Sequence, residues 1–148
     1  MELWELVRLV SERYGKRLEQ HKQAHARARE LAEVTLQQFQ YLQAIRRSPS
    51  PTIGSLSAYF GVRSPTATII VARLVEKGFV KRSPDPRDRR SNRLVLTPGA
   101  RRILEVQEAA FKALGEDIKA AISPSDLKLY ARLTEQVCIA FEKLDRSG

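Results

Sequence analysis

The stretch FVKRSPDPRDRRSNRLVLT, Phe79 to Thr97, sets two short apolar runs on either side of a loop crowded with arginine. "FVKR" and "RLVLT" read as β-strands, which makes the residues between them the tip of a hairpin. From Ser83 to Arg93 the tip holds four arginines, two aspartates and two prolines in eleven residues. Pro84 and Pro86 fix φ and lower the entropy lost when such a loop docks on a partner. Two acids among so many bases call for a reason. An acid beside a guanidinium holds it in one geometry through a bidentate pair, so Asp85 and Asp88 are expected to position the loop arginines in that way.

Upstream, the pattern is helical. Leu3, Leu6, Val7, Val10, Tyr14 and Leu18 recur at three- and four-residue steps and predict an amphipathic first helix. High helix propensity extends it through "AHARARELAE". Thr35 is the expected N-cap of a helix whose Leu36, Phe39, Leu42 and Ile45 make one face. "RRSPSP" breaks that helix, and a short one follows in "TIGSLSAYF", ended by Gly61. Ser64 and Pro65 open the next helix as N-cap and first-turn proline, with Ile70, Val71, Leu74 and Val75 inward and Gly78 as C-cap. Downstream of the hairpin, Thr97-Pro98 starts a long helix with Gly115 in its interior, where a bend is possible. Ser123 to Asp126 caps a last helix carrying Leu127, Tyr130, Leu133, Val137, Phe141 and Leu144 at near-heptad spacing.

Helix, turn, helix and basic hairpin, in that order, make a winged helix-turn-helix. The expected fold is mainly α, with a two-stranded wing and helical terminal regions for dimerisation. The sequence divides it into residues 1–34 and 103–148 for dimerisation and 35–102 for DNA binding, with a reading helix at about 64–77 and a wing at about 79–97.

Charge supports that reading. Residues 1–62 carry a balance of +3, residues 63–102 carry +8, and residues 103–148 carry −2, within a net charge of +9. The excess is concentrated where the reading helix and wing fall, as in a polyanion binder. The second helix of such a pair enters the major groove with its N-terminal residues on base edges. Those residues are Ser64, Thr66, Ala67 and Thr68, short and mostly hydroxylated, with Arg63 and Arg73 placed for phosphates. Arg82, Arg87, Arg89 and Arg90 serve the wing, because a narrow minor groove concentrates negative potential.

"TLQQFQYLQAI", "TIGSLSAYFGVRSPTATIIVARLVEKGFVKR" and "DPRDRRSNRLVLTPGA" together resemble the MarR family of winged-helix transcriptional regulators, over roughly Thr35 to Leu144. The resemblance implies a homodimer with interlocked terminal helices on a pseudo-palindromic operator of double-stranded DNA. It implies repression, relieved in many members by a small, often aromatic or phenolic, anion. Ser64, Thr66 and Thr68 match the family's reading positions, and Asp88 and Arg90 match its wing, Arg90 as the minor-groove arginine. Ile70 departs from the polar or charged residue common there, so no relative supplies the operator sequence.

Other features point to no chemistry. Cys138, the lone cysteine, is expected to be a buried packing thiol on the last helix. His21 and His25 lie one turn apart, but two ligands do not make a metal site. Trp4, Tyr14 and Tyr41 sit on apolar stripes and are expected in the core. No Ser-His-Asp pattern or phosphate-cradling glycine loop suggests an enzyme or a cofactor. No apolar run reaches the roughly 18 residues of a membrane span, and the N-terminus lacks the marks of a signal peptide, so a cytoplasmic protein is expected. Two readings compete with a specific regulator: a nonspecific architectural DNA binder, and a winged-helix module that docks acidic protein surfaces. The small hydroxylated residues of the reading helix suit base edges better than a protein interface core.

Overall fold

A computed structural model of the chain describes residues 1–25, 34–88 and 90–145. Its elements are α1 (Leu3–His25), α2 (Leu36–Arg47), α3 (Ile53–Phe60), α4 (Ser64–Glu76), β1 (Val80–Pro84), β2 (Asn92–Leu96), α5 (Pro98–Ala121) and α6 (Pro124–Asp145). The architecture is mainly α with a two-stranded antiparallel wing, as the sequence predicts. The expected extension of the first helix over residues 26–33 lies outside the described residues, as does Arg89. Among the described residues, no helix is long and apolar enough to cross a membrane. The chain divides into two compact units, one of Met1–His21 with Ala110–Gly148, the other of Lys22–Ala109.

In the second unit, local sequence starts and stops each helix. Thr35 caps α2 through a capping box: Gln38 N donates to Thr35 Oγ1 at 3.2 Å and Thr35 N donates to Gln38 Oε1 at 3.2 Å. Such reciprocal bonds satisfy two amides that a helix start leaves without partners. Thr52 and Ser55 do the same for α3. Gly61 ends α3 at φ 62, and Gly78 follows α4 at φ 75. After α4, Phe79 N donates to Leu74 O and Gly78 N to Val75 O, each at 2.9 Å. These are the two bonds of a Schellman motif, with Phe79 and Leu74 both buried beside it. Arg63, not Ser64, is the N-cap of α4: its carbonyl accepts from Thr66 and Ala67, and Ser64 and Pro65 lie inside the first turn.

The core of this unit gathers Tyr41, Leu42 and Ile45 of α2, Leu56 of α3, and Ala67, Ile70, Val71 and Leu74 of α4. Val80, Leu94 and Leu96 of the wing and Ala100, Ile103 and Leu104 of α5 complete it. Two inward assignments are corrected. Leu36 is 75% exposed, because α2 turns Gln38, Tyr41, Leu42 and Ile45 inward instead. Val75 is 36% exposed, because the buried stripe of α4 starts at Ala67 and ends at Leu74. Tyr41 stacks on Phe60 with ring centroids 4.2 Å apart, and burial raises the pKa of its hydroxyl above the ordinary tyrosine value.

In the other unit, polar bonds join helices that are far apart in the sequence. Arg17 of α1 donates to Asp117 of α5 through Nε at 2.6 Å and Nη2 at 3.1 Å, and His21 Nε2 lies 2.6 Å from the same carboxylate. Tyr14 OH and Tyr130 OH are 2.8 Å apart. Burial and then that hydrogen bond push the Tyr14 hydroxyl up to about 12. Ser123 caps α6, accepting from Asp126 N through Oγ. α5 is a single helix through Gly115. No residue of α1 or α6 is buried, which corrects three expectations: Trp4 is 65% exposed, Tyr14 is only half-buried and Cys138 is exposed. The apolar stripes of these helices face outward from the single chain.

Candidate nucleic-acid interface

α3, the three residues Gly61 to Arg63 and α4 form a helix-turn-helix, and β1 follows α4 directly. Because Ala67, Ile70, Val71 and Leu74 anchor α4 to the core, the helix turns its opposite side to solvent. Ser64, Thr66 and Thr68 are exposed there, and so are Ile69, Ala72 and Arg73. Ala67 is fully buried, at 0% exposure. Its methyl packs in the core three and four residues before Ile70 and Val71, so it is not on the surface where the sequence placed it. Thr68 Oγ1 donates to Ser64 O at 2.8 Å. That bond uses the hydroxyl's one proton and leaves its oxygen as an acceptor.

The register of the wing pairs Val80 with Leu96, Arg82 with Leu94 and Pro84 with Asn92. Val80, Leu94 and Leu96 face the core, while Lys81 and Val95 face out. Thr97 closes the hairpin base, its N donating to Phe79 O at 3.0 Å and its Oγ1 to Gly78 O at 2.7 Å. β2 is also tied to the segment before α3: Leu94 N donates to Pro51 O at 2.8 Å and Arg93 Nη2 to Pro49 O at 2.6 Å.

At the tip, the aspartates act on the backbone. Asp85 Oδ1 accepts from Arg87 N at 2.9 Å, and Asp88 Oδ1 accepts from Arg90 N at 3.0 Å. Ser91 N donates to Asp88 O, and Asp85 N donates to Ser91 O, each at 3.0 Å. These are Asx-turns, in which a short carboxylate stands in for a turn carbonyl. Among the described residues, no guanidinium pairs with Asp85 or Asp88, which corrects the expected bidentate pairs for Arg87 and Arg90. The reason is reach: an amide two residues on is fixed beside the carboxylate, whereas holding a long guanidinium there costs side-chain entropy. Arg63, Arg73, Arg82, Arg87 and Arg90 are all exposed. Among the described residues none of these five enters an ion pair, so their charge is open to an external anion.

The sequence reading missed Ile69 and Ala72. The signal was present: with Ala67 grouped with Ile70, Val71 and Leu74, a step of about 100° per residue puts Ile69 and Ala72 outward. It missed Asp117 as well, whose partners stand far away in the chain. Among the described residues, no cluster of three or more His, Cys, Asp or Glu could hold a metal ion.

Residues 34–91 match the model of the MarR family. None of the curated proteins matches the chain. Among solved structures, the chain is similar to FabT of Streptococcus pneumoniae in complex with DNA, with a TM-score of 0.77 at 18% identity over 97% of this chain and 99% of that one. MepR of S. aureus bound to ethidium bromide gives a TM-score of 0.69 at 17% identity over 95% and 97%. The apo form of wild-type MarR from E. coli gives 0.60 at 23% identity over 93% and 97%. At these identities the likeness is one of fold.

Proposed function

We propose, from the match of residues 34–91 to the model of the MarR family, that the chain is a homodimeric, sequence-specific DNA-binding repressor. α4 reads the major groove through Ser64, Thr66 and Thr68, with Arg63 and Arg73 on phosphates. Arg90 of the wing enters the minor groove, Arg82, Arg87 and Arg89 add positive charge, and Asp85 and Asp88 shape the loop. One observation carries this reading. Among the described residues, five exposed arginines of this region, Arg63 and Arg73 at α4 and Arg82, Arg87 and Arg90 on the wing, enter no ion pair, on a stretch of the chain carrying +8. The complex of FabT with DNA on the same fold supports duplex DNA as the partner.

A small ligand that relieves repression belongs to the same proposal. Support comes from a hollow of about 270 Å³ beside the wing base, whose lining includes Arg46, Arg93, Arg101, Leu94 and Leu96. Cationic and apolar side chains lining one hollow suit a small aromatic anion. MepR with ethidium bromide shows that this fold accommodates a small molecule elsewhere in its range of sequences.

The test is selection of bound duplexes from a random pool, then competition by unrelated DNA. A specific regulator keeps a margin of about 10³ or more over unrelated duplex. Equal competition by any duplex would mean an architectural binder, and no DNA binding at all would favour a protein-docking module.

A further inference from the structure

We propose that Ile69, with Ala72 beside it, is a specificity-determining residue of α4 that reads thymine methyl groups. The inference rests on the DNA-binding reading above and assigns the apolar part of its recognition. Four observations lead to it. Ile69 is 55% exposed although its neighbour Ile70 is 6% exposed, so the branched side chain stands outward by the rotation of the helix. Ala72 is exposed one turn on, and Arg73 lies four residues from Ile69 on the same side of the helix. Thr68 has its hydroxyl proton bound to Ser64 O, so it cannot donate to a base while that bond lasts. The centre of the solvent side therefore offers an apolar surface where a hydrogen-bonding reader would carry an amide or guanidinium.

A single exposed isoleucine is ordinary on a protein surface. Its position gives it a role, between residues proposed to reach the groove edge and the exposed Arg73 proposed for phosphate. In the major groove only thymine presents a methyl group, so an apolar reader there distinguishes thymine from the other bases. Removing one methyl from water is worth roughly fourfold in affinity.

The experiment uses the full chain and the duplexes it selects from a random pool, synthesised with thymine and with deoxyuridine replacing it one position at a time. The native chain should lose roughly fourfold at one or two thymines in each half-site. Ile69→Ala should bind thymine and deoxyuridine duplexes alike, and Ile69→Val should keep most of the discrimination. Both variants sit at an exposed helix position, so folding is not at risk. Equal binding of the two duplexes by the native chain overturns the thymine contact alone. So does discrimination that survives in Ile69→Ala. If no sequence is enriched in the selection, the specific-regulator reading fails and the thymine contact fails with it.

Discussion

Asp88 accepts the Arg90 amide through Oδ1 and the Ser91 amide through its own carbonyl, so one residue closes the turn that carries the wing arginine. On the proposed DNA-binding function, its charge and its geometry therefore act in opposite directions on the duplex. Asp88→Ala removes the turn bond, and losing one such bond is expected to weaken binding to selected duplexes by roughly fivefold, on the order of 1 kcal/mol. Asp88→Asn keeps an oxygen for the amide and deletes the repelling charge, so it should bind at least as tightly as the native chain. A salt titration of all three proteins checks this. Tighter binding by Asp88→Ala at every salt concentration would reduce the aspartate to a misplaced charge. Arg90→Ala should lower the salt slope by about 1 and lose most at narrow A·T-rich sites. The sequence shows that acids and arginines share the loop, yet both a guanidinium pair and an Asx-turn are compatible with that composition. Which one forms depends on the local φ and ψ, although an aspartate two residues before an amide in a tight loop already leaned toward the turn.

Helix ends were readable because their bonds are local: Thr35 with Gln38, Thr97 with Ala100 and Ser123 with Asp126 all span three residues. Faces were read less well. Leu36 matches the helical period as well as Gln38 and Tyr41 do, and the stacking of Tyr41 on Phe60 of another helix decides between them, while Phe39 packs against the core as expected. Gly78 is the element-scale joint, turning α4 into β1 at φ 75 with open space where a Cβ would stand. Gly78→Ala should therefore cost backbone strain alone, about 1–2 kcal/mol of unfolding free energy by urea denaturation, with the fold intact. No loss of stability would show that the joint tolerates another conformation. Asp117 was invisible in the sequence, since its partners Arg17 and His21 lie 100 and 96 residues away. Hydrogen bonds from Arg17, then from His21, hold its carboxyl well below the usual carboxylate range. A carboxyl depressed by folding contributes stability above its unfolded pKa of about 3.9, and the contribution fades as pH falls toward the folded value. Asp117→Asn should thus lower the melting temperature at pH 7 by a small amount, because Arg17 is half exposed. The gap from the native chain should narrow on acidification below about pH 4. A gap that widens in acid would contradict the assignment.

A chain of 148 residues that buries nothing on its first and last helices keeps a large apolar surface in water. Leu3, Trp4, Val7, Val137, Phe141 and Leu144 are each at least half exposed, from 50% at Val137 to 76% at Leu3. Exposed apolar area on this scale marks a surface that another molecule covers, and the proposed homodimer supplies the occupant. Deleting residues 1–20 should then produce aggregation or monomers, whereas a well-folded native monomer at micromolar concentration in sedimentation would contradict the dimer. Cys138 offers a finer probe of the same question. It lies exposed in an apolar groove of about 690 Å³ with Ile118, Leu127 and Tyr130, so in a lone chain its thiol meets reagent freely. If a second copy covers this face, labelling by a soluble disulfide reagent should be slow at high protein concentration. It should accelerate on dilution, because mass action releases the monomer. Cys138→Ser should leave DNA affinity unchanged, since Cys138 lies exposed on α6 and is not among the residues proposed to meet the duplex. A labelling rate that is fast and independent of protein concentration would show the groove open in solution, and the dimer would then have to form through other surfaces.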